Sequence, residues 1–557
     1  MDASTSKTGP DGPDGPVVLP PAAEPAAGGG RRLARSAGII GIATAGSRVL
    51  GLVRDQVLAY FFGAGNDMDA FNVAFRVPNL LRDLFAEGAM TAAFVPTFTR
   101  YLRLHGREAA WRLGNLVVNT LAVVTVALVL LGIVFAEPLV TLFASEYRAV
   151  PGKFELAVSL ARLTFPFLTL VALAAACMGM LNSLRRFFVP AFSPAMFNVG
   201  SIVTVLALVP LFASAGVRPI YAVALGALVG GIAQILIQWP QLHREGYRYR
   251  PMLDARHPGL REVLVLMGPG TVGLAAVQVN VLVNTILATG EGTGAVSWLN
   301  YAFRLMYMPI GLFGVSIATA ALPAISTQAA DNDVAGMRGT VSSGLRMMLM
   351  LNVPATVGLV VLAEPIVALL FERGSFTATD TAATAAALTF YAPGLIGYSA
   401  VKIAVPTFYA LRDARTPVVV SALTVLINIV LNVTLVRVLG YRGLALGTAL
   451  AAMFNAAVLL TLLRGRLAGI DGARLAVAVS KILAASVVMG TVAWAAAWGL
   501  QAFSGGTSLT DRLLVAFGAI GAGMLALAAA ARLLRVAEFD DALKLVRGRL
   551  LGGRASR

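Results

Sequence analysis

The chain has 557 residues, of which 58% are hydrophobic and 13% charged, with a formal net charge of +16 and a mean hydropathy of +0.79. A soluble protein of this length needs far more polar surface, so the composition predicts a polytopic membrane protein. The apolar runs are long and continuous, which excludes an outer-membrane barrel, because barrel strands alternate between apolar and polar residues.

Residues 1–30 are rich in Pro, Gly and Ala and contain no apolar core. We interpret them as a disordered cytoplasmic tail, because a signal peptide needs a basic region followed by an apolar one. Beyond this tail, the apolar windows accommodate about fourteen transmembrane helices, each of roughly 17–25 residues.

Two phrases separated by 227 residues divide the core of the chain into related halves: "FAEPLVTLFA" (135–144) resembles "LAEPIVALLF" (362–371). The same offset aligns three further pairs of landmarks, which are Pro96 with Pro323, Leu184 with Leu411, and Pro190 with Pro417. Each half has room for about six helices. Since six is even, both halves enter the bilayer from the same side, and their relating axis is expected to run along the membrane normal.

The predicted fold class is therefore an all-α polytopic membrane protein, with two pseudo-symmetric six-helix lobes around a central cavity and two extra helices. Paired lobes that rock about a central site are a common route to alternating access, although a channel or a structural protein could also be duplicated. The predicted segments are the N-terminal tail (1–30), the N-terminal lobe (31–245), the C-terminal lobe (246–465), the extra helices (466–536) and a basic cytoplasmic tail (537–557).

Basic residues collect in alternate loops, whereas the loops between them, such as 63–69, 289–294 and 504–511, are short and poor in Lys and Arg. This is the positive-inside pattern, so we place both termini in the cytoplasm and expect no nucleic-acid binding. The basic tail is expected to lie along the anionic inner leaflet. The basic loops contain Arg100, Arg103, Arg107, Arg112, Arg185, Arg186, Arg244, Arg248, Arg250, Arg256, Arg261, Arg412, Arg415, Arg464, Arg466 and Arg474.

Five arginines stand within otherwise apolar segments: Arg48, Arg54, Arg76, Arg82 and Arg304. An arginine at the centre of the bilayer costs roughly 2.5–3.5 kcal/mol on insertion scales. These side chains are therefore expected to face a polar cavity, to pair with acids, or to extend toward the membrane surface.

Helical spacing predicts how the arginines of the first helix are arranged. Residues seven apart share a face of a helix, so Arg48 is expected to stack over Asp55 and Ser47 over Arg54, which makes an ion pair between Arg48 and Asp55 available.

The second helix continues this polar pattern. Arg76, Asn79 and Asp83 fall at positions i, i+3 and i+7, and Glu87 extends the stripe. Pro78 is expected to kink this helix.

The second half is much poorer in polar residues, and Arg304 is its main contribution, followed by a kink at Pro309. Gly268, Pro269 and Gly270 lie within the first helix of that half and form a candidate hinge, with close helix packing through small residues as the alternative. The predicted cavity is net positive and weighted to the first half. Its expected ligand is an anion such as a diphosphate, because the planar guanidinium suits phosphate.

Several kinds of catalytic or metal site are excluded. The single cysteine, Cys177, cannot form an intramolecular disulfide, and His105, His243 and His257 are too scattered for a metal cluster. The chain has no phosphate-binding loop of the Walker type, so ATP hydrolysis is not expected. The acidic triplet "DND" (331–333) is best interpreted as a polar turn on a loop.

The stretch 47–96, which begins "SRVLGLVRDQ" and ends "AAFVP", resembles the N-terminal signature of the MurJ (MviN) lipid II flippases. These proteins belong to the superfamily of multidrug, oligosaccharidyl-lipid and polysaccharide exporters. "YAFRLMYMPIGLFGVSIATAALP" (301–323) and "GLIGYSAVKIAVPTFYALRDARTPV" (394–418) extend the resemblance into the second half. It covers most of residues 33–535.

The resemblance implies transfer of lipid II, the undecaprenyl-diphosphate-linked disaccharide-pentapeptide, to the outer leaflet for peptidoglycan synthesis. It assigns cavity positions to four arginines, Arg48, Arg54, Arg82 and Arg304. It also matches Asp69 to the acidic position in the family's second helix. Phe303 stands where some relatives carry an acid, so Arg304 is either free for the ligand or paired from another helix.

The resemblance also implies a location in the bacterial cytoplasmic membrane and a lipid-facing groove at the two extra helices for the polyprenyl tail. Lipid II and membrane lipids are the implied ligands. The cell-wall elongation or division machinery is a candidate partner, and the chain is expected to be a monomer. No cofactor is expected.

Several alternatives stay open at this stage. The chain could export another polyprenyl-linked oligosaccharide or drugs, although a cation-drug exporter needs unpaired acids in its cavity. A membrane enzyme acting on polyprenyl phosphates needs catalytic acids or histidines, and a structural scaffold leaves the buried arginines unexplained. The drive is either the membrane potential or a coupled ion, Na⁺ or H⁺, for which Asp55, Asp69 and Asp413 are candidates.

Overall fold

The computed structural model describes residues 29–83, 89–311, 315–504 and 508–540, without the side chains at 29–40, 42, 89, 91–92, 269–277 and 315–316. Residues 1–28, Glu87 and residues 541–557 therefore lie outside the described part of the chain. Over the described residues the regular structure is entirely helical, which confirms the all-α prediction.

The described residues form twenty α-helices, together with a short 3-10 turn at Ser145–Ala149. The helices are α1 (Gly29–Phe62), α2 (Asn66–Arg82), α3 (Ala89–Leu104), α4 (Gly106–Val134), α5 (Ala136–Ala144), α6 (Lys153–Thr164), α7 (Phe167–Ser183), α8 (Phe188–Ser214), α9 (Tyr221–Arg244), α10 (Pro258–Thr289), α11 (Ala295–Pro309), α12 (Val315–Ala330), α13 (Val334–Val361), α14 (Ala363–Phe371), α15 (Ala378–Tyr391), α16 (Gly394–Ala410), α17 (Arg415–Leu439), α18 (Tyr441–Arg466), α19 (Gly472–Ser504) and α20 (Leu509–Leu533).

Within the described residues, nine helical stretches are long and apolar enough to cross a membrane, and the bent pair α15–α16 makes ten if it counts as one span. The total of about fourteen passes stays a prediction.

The internal duplication is visible in the helix bounds. Adding 227 to the bounds of α5 and of α7 gives the bounds of α14 and of α16, and the same shift takes the start of α8 onto the start of α17. The packing repeats as well, because α1 lies against α8 as α10 lies against α17, and α2 against α6 as α11 against α15. The phrases that repeat in sequence therefore build matching elements.

The two extra helices, α19 and α20, pack against each other, and α19 also packs against α13 and α20 against α14 of the second half. Their shared interface is made of small buried residues such as Ala493, Ala519 and Gly523. Large apolar side chains, including Trp498 and Leu525, are exposed on their outer surfaces. This distribution is typical of membrane helices, which approach each other through small residues and present large ones to lipid.

Successive passes alternate between two faces of the bundle. The face with the arginine-rich connections, which carry Arg186, Arg244, Arg338, Arg412 and Arg466, is called the basic face. The other, called the opposite face, has the connections α1–α2, α10–α11 and α19–α20. Ion pairs join the loops of the basic face; the Arg186 Nε lies 2.7 Å from the Glu245 carboxylate.

Helix α10 is shared between the two halves. Near its start, Leu260 and Val263 pack in an apolar cluster with Phe94 and Phe98 of α3, whereas α10 also packs against α17 and α11 of the second half. The predicted hinge (268–270) lies within this helix, which is continuous from Pro258 to Thr289. Pro269 and Gly270 belong to the stretch whose side chains are not described.

The linker between α9 and α10 is bound to the first half by two asparagines one turn apart on α4. Asn115 donates to the carbonyl of Arg248 (3.0 Å) and accepts from the Tyr247 hydroxyl (2.9 Å) and the Arg250 N–H (3.0 Å). Asn119 donates to the Arg250 carbonyl (2.9 Å) and accepts from the Tyr249 hydroxyl (2.7 Å). The linker therefore moves with the first half, and any displacement between the halves has to occur beyond it.

Replacing both asparagines, as Asn115→Ala with Asn119→Ala, removes five hydrogen bonds to the linker, each contributing roughly 0.5–1.5 kcal/mol. We expect faster tryptic cleavage after Arg248 in the purified variant, measured by mass spectrometry. Cleavage after Arg415, at the start of α17 on the basic face, should keep its wild-type rate. Unchanged cleavage of the linker would contradict its attachment through these amides.

Candidate functional site

An ion triplet joins the two halves within the membrane-spanning helices. Asp55 on α1 is 5% exposed, and its carboxylate accepts a hydrogen bond from its neighbour Arg54 (Nη2 to Oδ1, 3.0 Å). Arg304 on α11 donates from Nη1 to both oxygens of the same carboxylate. The Arg54 guanidinium also lies over the ring of Phe197, 5.5 Å from its centroid. Two arginines share one acid, so the triplet keeps a net positive charge.

The available ion pair between Arg48 and Asp55 does not form. Two helical turns separate these residues by about 10.5 Å along the axis, and the carboxylate is already engaged by Arg54 and Arg304. The alternative that Arg304 is paired from another helix is confirmed. Ser47 is half-buried, and its carbonyl accepts a hydrogen bond from the Asn198 side chain of α8 (3.1 Å).

A cavity of about 290 Å³ opens beside the triplet, between α1 and α11. Arg48 lies in its wall with an exposed side chain, and no carboxylate of the described residues forms an ion pair with it. We call this space the portal cavity; its lining consists of Arg48, Gly51, Leu52, Asp55, Phe303, Arg304, Leu305, Tyr307, Met308 and Phe371.

A larger cavity of about 500 Å³ adjoins the portal cavity and shares Phe303 and Tyr307 with it. Arg76, Asn79 and Asp83, which were predicted to form one polar stripe on the second helix, all line it. We call this space the amide chamber, because most of its other polar lining is neutral: Gln278, Asn280, Asn284, Thr285, Asn300, Tyr307, Tyr391, Tyr398 and Thr448.

The prediction that the second half is poor in polar groups was wrong for neutral groups. Amides on α10 and α11 and tyrosines on α11, α15 and α16 face the amide chamber. Sequence analysis weighed only charged residues there. The available signal was Gln278, Asn280 and Asn284, which follow one another closely inside an apolar helix.

The arginines of α2 are held near the amide chamber by polar partners. Arg82 pairs with Asp83 (2.7 Å), and Asp83 also accepts a hydrogen bond from Gln278 (3.2 Å). Arg76 donates from Nη2 to the Asn300 side chain (3.4 Å). Helix α2 continues through Pro78 and ends at Arg82, and Glu87, the last residue of the predicted stripe, lies outside the described residues.

Asp69 takes a different position, buried near the opposite face with none of its surface exposed. Its carboxylate pairs with Lys153 of α6 (3.1 Å). It also accepts hydrogen bonds from the start of α11: from the Gly294 N–H (2.7 Å), the Ser297 N–H (3.1 Å) and the Ser297 hydroxyl (2.8 Å). Gly294 has a φ of 96°, a conformation that favours glycine.

Asp69 therefore caps a helix of the other half from across the interface, where a carboxylate also interacts favourably with the helix dipole. We call this arrangement the Asp69 clasp; it consists of Asp69, Lys153, Gly294 and Ser297. Lys153 was missed in the sequence analysis, although it is the only lysine of α6 and stands at the start of that helix.

Further hydrogen bonds close the opposite face between the halves. Asn72 donates to the Ser297 hydroxyl (3.0 Å), and Thr293 to the Asn66 side chain (2.8 Å). The Ser375 N–H donates to the carbonyl of Tyr60 (2.8 Å). In this conformation the halves are joined at the opposite face, with the portal cavity and the amide chamber inside.

The site can hold an anion by charge and by hydrogen bonds. Arg48, Arg54 and Arg304 lie near a single acid, Asp55. One guanidinium can donate two parallel hydrogen bonds to two oxygens of a phosphate. Within the part of the chain that the structure describes, no group of three or more His, Cys, Asp or Glu side chains could hold a metal ion.

A duplicated helical bundle with a cationic site in a cavity between its halves is typical of a membrane transporter. A family model described as lipid II flippase MurJ matches residues 58–511. The probable lipid II flippase MurJ of Vibrio cholerae is 37% identical over 439 residues, which cover 77% of this chain and 82% of that protein. The lipid II flippase MurJ of Burkholderia cenocepacia is 36% identical over 424 residues, covering 75% and 81%.

The chain therefore belongs to the MurJ family of lipid II flippases, which are transporters and not enzymes. Its structure is similar to a solved structure described as lipid II flippase MurJ in an inward closed conformation, with a TM-score of 0.71, 25% identity, and coverage of 89% of this chain and 99% of that one. An inward-facing MATE multidrug transporter of the MOP superfamily shares the fold alone, with a TM-score of 0.62, 16% identity, and coverage of 76% and 96%.

Replacing Asp69 by Asn keeps the shape of the side chain but leaves the Lys153 ammonium buried without an anion. Breaking a buried pair in this way costs roughly 3–5 kcal/mol, so we expect a lower midpoint of thermal unfolding for the purified protein. The matched control is Asp67→Asn, two residues away in sequence and partly exposed.

A second replacement distinguishes loss of the ion pair from general damage to the helix. Adding Lys153→Met to Asp69→Asn removes the orphaned charge, so the double variant should recover part of the lost stability. Equal midpoints for wild type, Asp69→Asn and Asp67→Asn would contradict the clasp.

Proposed function

We propose that this chain moves lipid II from the inner to the outer leaflet of the bacterial cytoplasmic membrane by alternating access. The observation that carries the proposal is the Arg54–Asp55–Arg304 triplet, in which one acid binds arginines of both halves. Arg48, exposed in the adjoining portal cavity, adds a further positive charge. Family membership indicates lipid II as the substrate, and the guanidinium groups in the cavity suit its diphosphate.

The triplet offers a way to couple binding with movement. Asp55 neutralises part of the charge of Arg304 while the site is empty. A diphosphate competes with this carboxylate for the guanidinium, because it presents more oxygens and more negative charge to the same donors. Binding therefore replaces a contact between the halves, and a ligand that interacts differently with two arrangements shifts their populations.

The predicted site residues take distinct roles in this proposal. Arg48, Arg54 and Arg304 bind the diphosphate, with Ser47 and Asp55 beside them. Asn79 and the arginines of α2, held by Asp83 and Asn300, contact the rest of the headgroup, and Glu87 keeps the cavity role expected of it. Asp69 instead holds the opposite face closed. The region of Gly268, Pro269 and Gly270 takes up the rocking between the lobes 31–245 and 246–465.

The orientation follows from the distribution of arginines. We place the basic face and both termini in the cytoplasm, because positively charged loops remain on that side. An inside-negative potential then favours outward movement of the negatively charged headgroup. The polyprenyl tail binds along the exposed apolar surface of α19 and α20. The chain acts as a monomer, because one copy contains the complete site.

Of the three acids considered for ion coupling, Asp413 is the least suited to carry a proton. It lies in a loop of the basic face, where the N–H and the hydroxyl of Thr416 both donate to its carboxylate. These hydrogen bonds, with Arg466 nearby, hold the pKa of Asp413 below its ordinary value. The group therefore stays ionised near neutral pH, which leaves Asp55 and Asp69 as the candidates for proton coupling.

Purified variants reconstituted in vesicles test the proposal directly. Arg304→Ala removes a phosphate-binding charge and the partner of Asp55 from the other half, so we expect lipid II flipping to fall roughly 10- to 100-fold. Arg304→Lys keeps the charge without the planar fork and should retain part of the rate. Arg82→Ala should also abolish flipping without preventing insertion.

Arg474→Ala is the matched control, since this arginine is exposed at the start of α19, away from the cavities. The proposal predicts a wild-type rate for this variant. Wild-type flipping by Arg304→Ala, with normal folding and insertion, would overturn it.

A further inference from the structure

A crevice of about 280 Å³ lies between α1, α8 and α14, on a different side of α1 from the portal cavity. We call it the α14 crevice. Phe371 belongs to the walls of both spaces, and this buried ring lies between them. Most of the crevice wall is apolar, and its side chains Leu206 and Val53 expose 50% and 37% of their surface. Exposed apolar side chains of membrane helices face lipid, so the α14 crevice opens toward the membrane.

The α14 crevice reaches the opposite face of the bundle, where the connection after α14 is held against the end of α1. The Ser375 N–H donates to the Tyr60 carbonyl (2.8 Å), and the Ser375 hydroxyl donates to the Phe61 carbonyl (3.0 Å). Gly374 has a φ of 60°, and a Cβ there would clash with the Tyr60 carbonyl, so this close approach requires glycine. Arg373, in the same connection, therefore stands at the rim of the crevice together with Tyr60.

The rim of the α14 crevice carries an uncompensated positive charge. Arg373 is exposed and forms no ion pair with any described residue. Its Nη2 donates to the Leu369 carbonyl (2.6 Å), and its other N–H groups have no partner among the described residues. No acid of the described residues lines the crevice. Arginine donates well to phosphate oxygens, and tyrosine is typical of the level at which lipid headgroups lie, so the rim suits the phosphate of a lipid.

Gln56 places a second polar group deeper in the α14 crevice. It lies one turn before Tyr60 on α1, about 6 Å farther from the opposite face along the helix axis. Gln56 is half-buried in the crevice wall, and its amide forms no hydrogen bond with any described residue. A polar group that faces hydrocarbon is costly unless it is hydrogen-bonded. The ester carbonyls of a glycerophospholipid lie just below its phosphate and can accept from this amide, whereas a polyprenyl chain is hydrocarbon from its diphosphate onward and offers no acceptor.

We propose that the α14 crevice binds a glycerophospholipid from the leaflet at the opposite face, a lipid that the chain does not transport. Arg373 and Tyr60 bind its phosphate, Gln56 donates to an ester carbonyl, and an acyl chain lies along the apolar wall. This inference goes beyond the proposed function, and it does not depend on the identity of the transported lipid. Because α1 and α14 belong to different halves, the bound phospholipid would favour the arrangement in which both sets of contacts are present.

Titration of the purified full-length chain in detergent with phosphatidylglycerol, followed by native mass spectrometry, tests the site. Arg373→Gln removes the charge at the rim, so we expect the dissociation constant of the most tightly bound lipid to rise at least about fivefold. Arg442→Gln is the matched control, because this exposed arginine also lies beside a tyrosine, at the start of α18 and outside the crevice. It should bind phosphatidylglycerol as wild type does. Equal affinities of wild type and Arg373→Gln would overturn the proposal.

An ether-linked phosphatidylglycerol, which has no ester carbonyls, isolates the contribution of Gln56. Wild type should bind the ester lipid roughly 2- to 10-fold more tightly than the ether lipid, because it gains one neutral hydrogen bond. Gln56→Leu should bind the two lipids equally and keep the wild-type affinity for the ether lipid, which also shows that the variant folds. Equal binding of both lipids by wild type, or tighter Arg373-dependent binding of a polyprenyl phosphate than of phosphatidylglycerol, would contradict a phospholipid site. Neither result would affect the proposed function, since no flipping of lipid II is measured.

Discussion

A guanidinium inside a bilayer needs a partner or a polar space, and this constraint organises the centre of the molecule. Asp55 meets it for two arginines at once, one from each half of the duplicated chain. Because a single acid serves both, the site keeps positive charge for an anion. The ion pair with Asp55 lowers the free-energy cost of placing Arg304 in the membrane. A phosphate would replace this same ion pair.

The halves share one large apolar cluster, and polar contacts that can exchange partners join them at both faces. The Asp69 clasp closes the opposite face through a carboxylate, a lysine and the start of α11. At the basic face, the linker is tied to α4 and the beginning of α10 packs with the first half. In the proposed rocking of the two lobes, movement would therefore have to occur within α10 and at the clasp, on either side of the cavities.

Much of the fold was predictable from sequence, because apolar length and the offset of 227 residues determine where helices lie and which elements correspond. The buried arginines were also predictable, since their cost in lipid demands an explanation. Their partners were not: Asp55 pairs across the halves with Arg304, and spacing along one helix carries no information about such contacts. Lys153 and the tyrosines of the amide chamber were missed for the same reason, and because neutral groups carry no insertion penalty large enough to stand out.

The central claim is that this cavity carries the headgroup of lipid II across the membrane. The most direct measurement depletes the protein in its native cell and assays on which face of the membrane lipid II is exposed. The account predicts that lipid II accumulates on the cytoplasmic face, and that wild type restores its exposure outside while Arg304→Ala does not. Normal outward exposure of lipid II in depleted cells, or full restoration by Arg304→Ala, would contradict it.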